Sequence, residues 1–231
     1  MVKLEFNRIG AGFQRGLERE NNFVICIHPG FGIFRDIDGP TSVGRLGDGS
    51  ANGLSGAGGN DTLDGAAGND TLDGGAGNDL ITGNDGDDVI YGGNGDDTIE
   101  GNAGSDRIYG GDGNDTIYGY ALVTAGDDST ADTIFGENGN DGLHGNGGDD
   151  TLDGGAGADS LYGGAGNNFY VIDDAGDTIA NEIGGNDTIL TKLENYTLGG
   201  GIEALALSDG IIRGTGSSSD NTVTGNSIGN S

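Results

Sequence analysis

The sequence predicts an all-β parallel solenoid in which two nine-residue repeats build each coil. Three observations carry that reading. From Gly56 to about Ala180 the chain repeats the template G-G-x-G-x-D-x-(aliphatic)-x, as in GGAGNDLIT from Gly74 and GGDGNDTIY ending at Tyr118. Aspartates keep register at Asp61, Asp70, Asp79, Asp88, Asp97, Asp106 and Asp115, then resume at Asp132, Asp141, Asp150 and Asp159, with Asn168 in the next slot and Asp177 in the last. An aliphatic follows two residues behind each aspartate, from Leu63 and Leu72 through Ile81, Ile90, Ile99, Ile108 and Ile117 to Ile134, Leu143, Leu152 and Leu161. A fixed period of this length decides the architecture before any local propensity does.

Composition narrows the classes further. Glycine supplies 53 of 231 residues, proline two, and the formal net charge is −29. A glycine period of nine with so little proline excludes collagen. Disorder is the natural rival for an acidic, glycine-rich chain, but a disordered linker needs no aliphatic at every ninth residue. The charge sets nucleic acid and anionic membranes aside as partners. The longest apolar run, Phe23–Ile27, falls far short of the ~18 residues of a spanning helix. The N-terminus carries no apolar core or cleavage site of a signal peptide. Cys26 is the only cysteine, so no intrachain disulfide is expected and sulfur does not report the compartment.

In chain order, residues 1–46 stand apart. They hold six of the nine basic residues, Lys3, Arg8, Arg15, Arg19, Arg35 and Arg45, so nearly all the negative charge lies beyond them. Short strands are expected within Phe23–His28 and Gly32–Ile37 from their branched and aromatic content. The segment is too short for an ordinary independent domain and reads as a cap, a linker or the remnant of an upstream region. His28 beside Cys26 has no motif around it, and His144, at a ninth position, reads as a surface side chain. From Gly47 the register begins weakly, with Asn52 and Leu54 in the aspartate and aliphatic slots. The repeat region spans 47–180 and is interrupted near Tyr120–Asp127, where a spacing of seventeen leaves eight extra residues, expected as a loop at 120–127. Beyond Asp159 the apolar content thickens at Phe169, Tyr170, Val171 and Ile172. The ten residues from Asp177 to Asp187 read as a break in register. Residues 181–231 form a flanking segment whose aliphatics, Ile189 to Ile212, suit the capping of an open solenoid end. The serine-rich tail reads as the start of another repeat.

Each repeat divides into two halves. Six glycine-rich residues form a turn through backbone conformations with positive φ. Three more, such as Thr98-Ile99-Glu100, alternate outward, inward, outward as a strand. Two repeats then give an eighteen-residue coil with a strand on each face. The ninth positions sort accordingly, with Tyr91, Tyr109 and Phe135 in one column and Tyr118, His144 and Tyr162 in the other. If the insertion only enlarges a turn, Asp115 stacks on Asp141. If it switches edges, Asp115 stacks on Asp132. The enlarged turn is expected, because a longer loop costs little closure entropy while a broken sheet loses its pairing.

One buried aliphatic per nine ordered residues is too little apolar burial to hold such a coil. Stacking also sets carboxylates about 5 Å apart, worth roughly 0.8 kcal/mol of repulsion per neighbouring pair even in water. A cation between the rungs answers both problems. Carboxylates and backbone carbonyls are hard oxygen donors that suit Ca²⁺. Zinc would call for histidine or cysteine, and magnesium for a tighter octahedron.

The repeats resemble the haemolysin-type calcium-binding repeats of the RTX family. The resemblance covers about Gly56–Ala180 and recurs a dozen times in register. It implies a right-handed parallel β-roll with calcium ions between the turns. Their ligands would be Asp61, Asp70, Asp79, Asp88, Asp97, Asp106, Asp115, Asp132, Asp141, Asp150, Asp159 and Asp177 with nearby loop carbonyls. It also implies a secreted, extracellular bacterial protein exported unfolded by type I secretion, although no familiar secretion signal closes this C-terminus, and Asn168 departs from the pattern. The expected function is a calcium-dependent module, monomeric or part of a larger chain, that folds outside the cell. Two alternatives stay open. It is the accessory tail of a secreted protease, lipase or alginate epimerase, or an adhesion module whose outward tyrosines meet extracellular polysaccharide or a cell surface. No catalytic motif is present, neither HExxH nor GxSxG, so no enzyme activity is expected of the chain itself.

Overall fold

The structure, a computed structural model, describes residues 25–26, 33–34, 42, 44–120, 129–180, 184–199, 201–210, 214–216 and 220–227. The described strands are all parallel. They alternate between two sheets of nine and eleven strands as far as Thr188–Thr191, beyond which Tyr196–Thr197 and Gly214–Thr215 pair in a separate two-stranded sheet. The whole makes about nine turns. Away from the insertion, pairing within the repeats joins residues eighteen apart, as in Leu63 with Ile81 and Ile81 with Ile99, or Leu72 with Ile90 and Ile90 with Ile108. Two nonapeptides therefore complete one coil. The cause is the alternation of each strand, whose central residue points inward while its neighbours point out. Leu63, Leu72, Ile81, Ile90, Ile99, Ile108, Ile117, Ile134, Leu143, Leu152 and Leu161 are all fully buried, and they form one continuous core.

Many strands exceed the three residues expected. Thr71–Ala76, Val89–Asn94, Arg107–Asp112 and Thr133–Asn138 each run for six. Pairing carries on into the glycine-rich half, with Gly75 opposite Gly93 and Gly93 opposite Gly111. Peptide groups buried between coils need partners, and the parallel neighbour supplies them. Glycine is required at the fourth position of the turn. There Gly77, Gly95 and Gly113 have φ of 124°, 124° and 139°, and a Cβ would strike the backbone of the coil before.

The insertion leaves the coil undisturbed. Ile117 pairs with Leu143 and Ile108 with Ile134, each twenty-six residues apart. Asn146 donates to the Tyr120 carbonyl and the Thr130 hydroxyl donates to the Gly104 carbonyl, so both sides of the insertion hold their places in the stack. The eight residues between Tyr120 and Ser129, which take in most of the expected loop, lie outside the described residues.

At the N-terminal side, Ile25–Cys26 and Ile33–Phe34 pair with Gly44–Leu46 and Gly53–Ser55 and extend both sheets. The rest of the two strands expected there, and His28, lie outside the described residues. At the other end the expected break of register is corrected. Thr188–Thr191 pairs in order with Phe169–Ile172, Ala204–Leu207 follows, and Thr222–Thr224 after that. The tenth residue of the long spacing is absorbed between Ala180 and Gly185, where the next turn resumes its stack. Tyr170 occupies the inward slot, and Ile172, Ile189, Leu198, Ile202, Leu205 and Leu207 enlarge the core around it.

The outward ninth positions form the two columns the parity requires. Tyr91 stacks on Tyr109 at 5.0 Å and Tyr109 on Phe135 at 5.1 Å between ring centres, with Arg107 over both of the latter rings. On the other sheet His144 lies between Tyr118 and Tyr162 at 4.6 and 4.4 Å. His144 is thus the middle of a ring stack, where burial lowers its pKa.

Candidate metal centre

The aspartates line the two edges where one sheet turns into the other. On the first edge a single hydrogen bond recurs from coil to coil: Asp79 Oδ1 accepts from the Asp61 N–H at 2.7 Å, Asp97 from Asp79 at 2.7 Å, and Asp115 from Asp97 at 2.8 Å. Asp141 then accepts from Asp115 at 2.7 Å, Asp159 from Asp141 at 2.8 Å, and Asp177 from Asp159 at 3.1 Å. Asp115 therefore stacks on Asp141, and the insertion does not switch edges. The second edge starts at Asn52, whose N–H bonds Asp70, and continues through Asp88, Asp106, Asp132, Asp150 and Asn168.

Asp132 follows the insertion, yet its ladder bonds measure 2.8 and 2.9 Å, like the others. The repeat's first glycine, Gly119, lies on the near side of the insertion, and an ideal Cβ on it would still lie under 3.0 Å from Asp132 Oδ2.

With Oδ1 used by the ladder, each carboxylate has a second oxygen to place. Oδ2 of Asp70, Asp79, Asp88, Asp97, Asp115, Asp141 and Asp159 is buried and takes no hydrogen bond. Its surroundings explain the glycine at the first position of these repeats. An ideal Cβ on Gly56, Gly74, Gly92, Gly110 or Gly136 would lie under 3.0 Å from Oδ2 of its own repeat's aspartate. It would lie equally close to the carbonyl oxygen of the first glycine in the coil that follows. Glycine at that position reserves a space on which one carboxylate and one carbonyl oxygen converge. All the donors are hard oxygens, the chemistry Ca²⁺ selects. Among the described residues no three His, Cys, Asp or Glu side chains gather as a metal cluster. Main-chain carbonyls would accordingly have to supply much of a cation's shell.

Burial without a cation penalises these charges. The carboxyls of Asp70, Asp79, Asp97, Asp115, Asp141 and Asp159 are pushed up to about 6, first by desolvation and further by neighbouring carboxylates, against the lowering effect of the ladder N–H. Asp88 moves in the same direction, again chiefly through burial.

Two members of the expected ligand pattern differ. Asp177 joins the first ladder, but its Oδ2 accepts from the N–H groups of Asp173 and Asp174 at 3.1 and 3.0 Å, closing a local turn. Ile172 stands where its cradle glycine would be. Asn168 holds the ladder bond with Oδ1 and presents its amide nitrogen where the others present Oδ2. A further rung went unread in the sequence. Asp187 is fully buried and accepts the Asn168 N–H at 2.8 Å, and its own N–H reaches Glu203 Oε2 at 2.9 Å. The signal was present, since Gly184-Gly185-Asn186-Asp187-Thr188-Ile189 spells the repeat one residue out of step.

A family model of the RTX calcium-binding nonapeptide repeat matches residues 46–81, 55–90, 64–99, 91–121, 127–152, 135–170 and 144–179, together more than half of the chain. A comparison with curated proteins gives no match.

Gly92→Ala should raise the calcium concentration needed for folding by roughly fivefold or more, as an overpacked methyl in the cradle costs about 1–3 kcal/mol. Gly49→Ala, where a Cβ meets nothing within 4 Å, should leave the titration midpoint unchanged. Circular dichroism during calcium titration reads both. A second prediction concerns pH. A carboxyl raised from 3.8 to about 6 on folding favours the cation-free roll fully below its unfolded pKa, and that contribution is lost as pH rises through about 6. In chelator, acidification from about pH 7 to about pH 4.5 should therefore increase strand signal, while at a fixed subsaturating calcium concentration the same change should release the ion.

Proposed function

This chain belongs to the RTX family of calcium-binding nonapeptide repeat proteins, and from that premise we propose that it is a module whose folding is switched on by calcium outside the cell. The carrying observation is the ladder of buried carboxylates, each with one oxygen bonded to the backbone and, at seven rungs, a second that takes no hydrogen bond. Such a stack is costly when charged and empty. Calcium bound between coils neutralises it, and the ordering of the turns then belongs to the same equilibrium as binding. The proposed ligand carboxylates are Asp61, Asp70, Asp79, Asp88, Asp97, Asp106, Asp115, Asp132, Asp141, Asp150 and Asp159, each with the carbonyls of adjoining turns. Asp177 stands outside this set because both of its oxygens already accept backbone N–H groups.

The proposal of an extracellular site of action is supported by the family, which is typical of secreted bacterial proteins. Extracellular calcium modules bind at roughly 10⁻⁴–10⁻³ M, a range that keeps such a chain unfolded in a cytosol and folded beyond it. We assign no catalysis to the module. Its chemistry is that of oxygen donors, and His144 is held in a ring stack. The aromatic columns favour support of their own sheets over contact with polysaccharide. Ring faces that could cover a sugar are turned on one another, at interplanar angles of 8° and 12° in the longer-spaced column.

Circular dichroism in chelator should give a disordered spectrum, and calcium at about 1 mM should induce strand signal, with magnesium at the same concentration doing markedly less. A spectrum unchanged by calcium would overturn the proposal.

A further inference from the structure

We infer that the rung at Asn168 is built to exclude the cation, with the Tyr170 side chain and the Asn168 amide together taking its place. The inference rests on the calcium reading above and concerns one position within it. At Gly56, Gly74, Gly92, Gly110 and Gly136 the reserved space is bounded by a carboxylate oxygen and a carbonyl oxygen. At Gly163, the equivalent glycine of the Asn168 repeat, the nearest atoms to an ideal Cβ are the Tyr170 hydroxyl and Asn168 Nδ2. The space glycine keeps clear for oxygen donors elsewhere is here filled by side-chain atoms of its own repeat.

The chemistry agrees with the geometry. Asn168 is 1% exposed, and its Oδ1 accepts the Asp150 N–H at 3.0 Å, the ladder bond common to every rung. That bond fixes the amide, so Nδ2 must face the cradle, where it is buried and has no hydrogen-bond partner. An N–H₂ group presents the positive end of a dipole and offers a cation no lone pair. It also removes the negative charge that the other rungs must neutralise.

Tyr170 supplies the volume. It occupies the slot held by Leu152 in the coil before and Ile189 in the coil after, and it is fully buried. Leucine and isoleucine end within the core, whereas the tyrosine ring is long enough to carry its hydroxyl to the edge turn. The two departures from the template thus lie in one repeat, two residues apart, and converge on one space. Asparagine alone would weaken a site, but asparagine with tyrosine closes it. The second edge is therefore interrupted here, just where the core enlarges through Ile172, Ile189, Leu205 and Leu207.

Calcium counted per chain by native mass spectrometry tests the inference, with anomalous scattering from calcium-loaded crystals of the unaltered chain to locate the ions. Ions beside the ladder aspartates and none at Asn168 are expected. Asn168→Asp with Tyr170→Leu should bind one calcium more than the unaltered chain, while Asn168→Asp alone should gain none and unfold at a lower temperature. An ion at Asn168 in the unaltered crystals, or a gain of one ion by Asn168→Asp alone, would overturn it. Crystals that form only from the unaltered chain still decide the question. Calcium missing from every rung would instead overturn the reading on which this inference rests.

Discussion

Buried carboxylates stacked at the spacing of parallel strands govern this molecule. Coils held together by backbone pairing bring each aspartate over the next, as in Asp79, Asp97 and Asp115, and leave no freedom to splay them apart. One oxygen of each is tied to the neighbouring coil. The other, at Asp79, Asp97 and Asp115 among others, is left where neither water nor an N–H reaches it. Raised carboxyl pKa values express the same conflict from the side of the proton. A hard divalent cation would resolve it, with the first-glycine carbonyl oxygen of the following coil beside the same carboxylate oxygen at Gly74, Gly92 and Gly110.

Glycine makes this arrangement sterically feasible in two distinct ways. At the fourth position it provides positive φ and lets one coil approach the next, as at Gly77 over Gly59. At the first position its backbone is unremarkable, and the missing Cβ is what matters, because that volume belongs to the aspartate and the carbonyl. The core contributes direction more than strength. A single column of Leu and Ile per sheet fixes which residue of each repeat points inward, and a slip of one residue would turn every aliphatic out.

Much of this could be read in the residues, and the reasons are physical. A period of nine with one inward aliphatic fixes the coil length, and coil length fixes which ninth positions meet, so the Tyr91–Tyr109–Phe135 and Tyr118–His144–Tyr162 columns follow from counting. The fate of the insertion followed from the cost of breaking a sheet against that of enlarging a loop. Three features were hidden. Asp187 lies one residue out of step, and a reading tied to period nine passes over it although the coil absorbs the extra residue. Asp177 keeps the period while its carboxylate is captured by the local N–H groups of Asp173 and Asp174, a competition that spacing does not report. Tyr170 reads as a larger aliphatic until its length is set against the depth of the core, which only the packed coil reveals.

The central claim is that cation binding and coil formation are a single event. The most direct test follows bound calcium, by equilibrium dialysis, and strand content, by circular dichroism, through the same titration at neutral pH. The account predicts that the two curves superimpose, with strand content near zero at zero bound calcium and complete when the rungs are filled. Full strand content before any calcium is bound would contradict it.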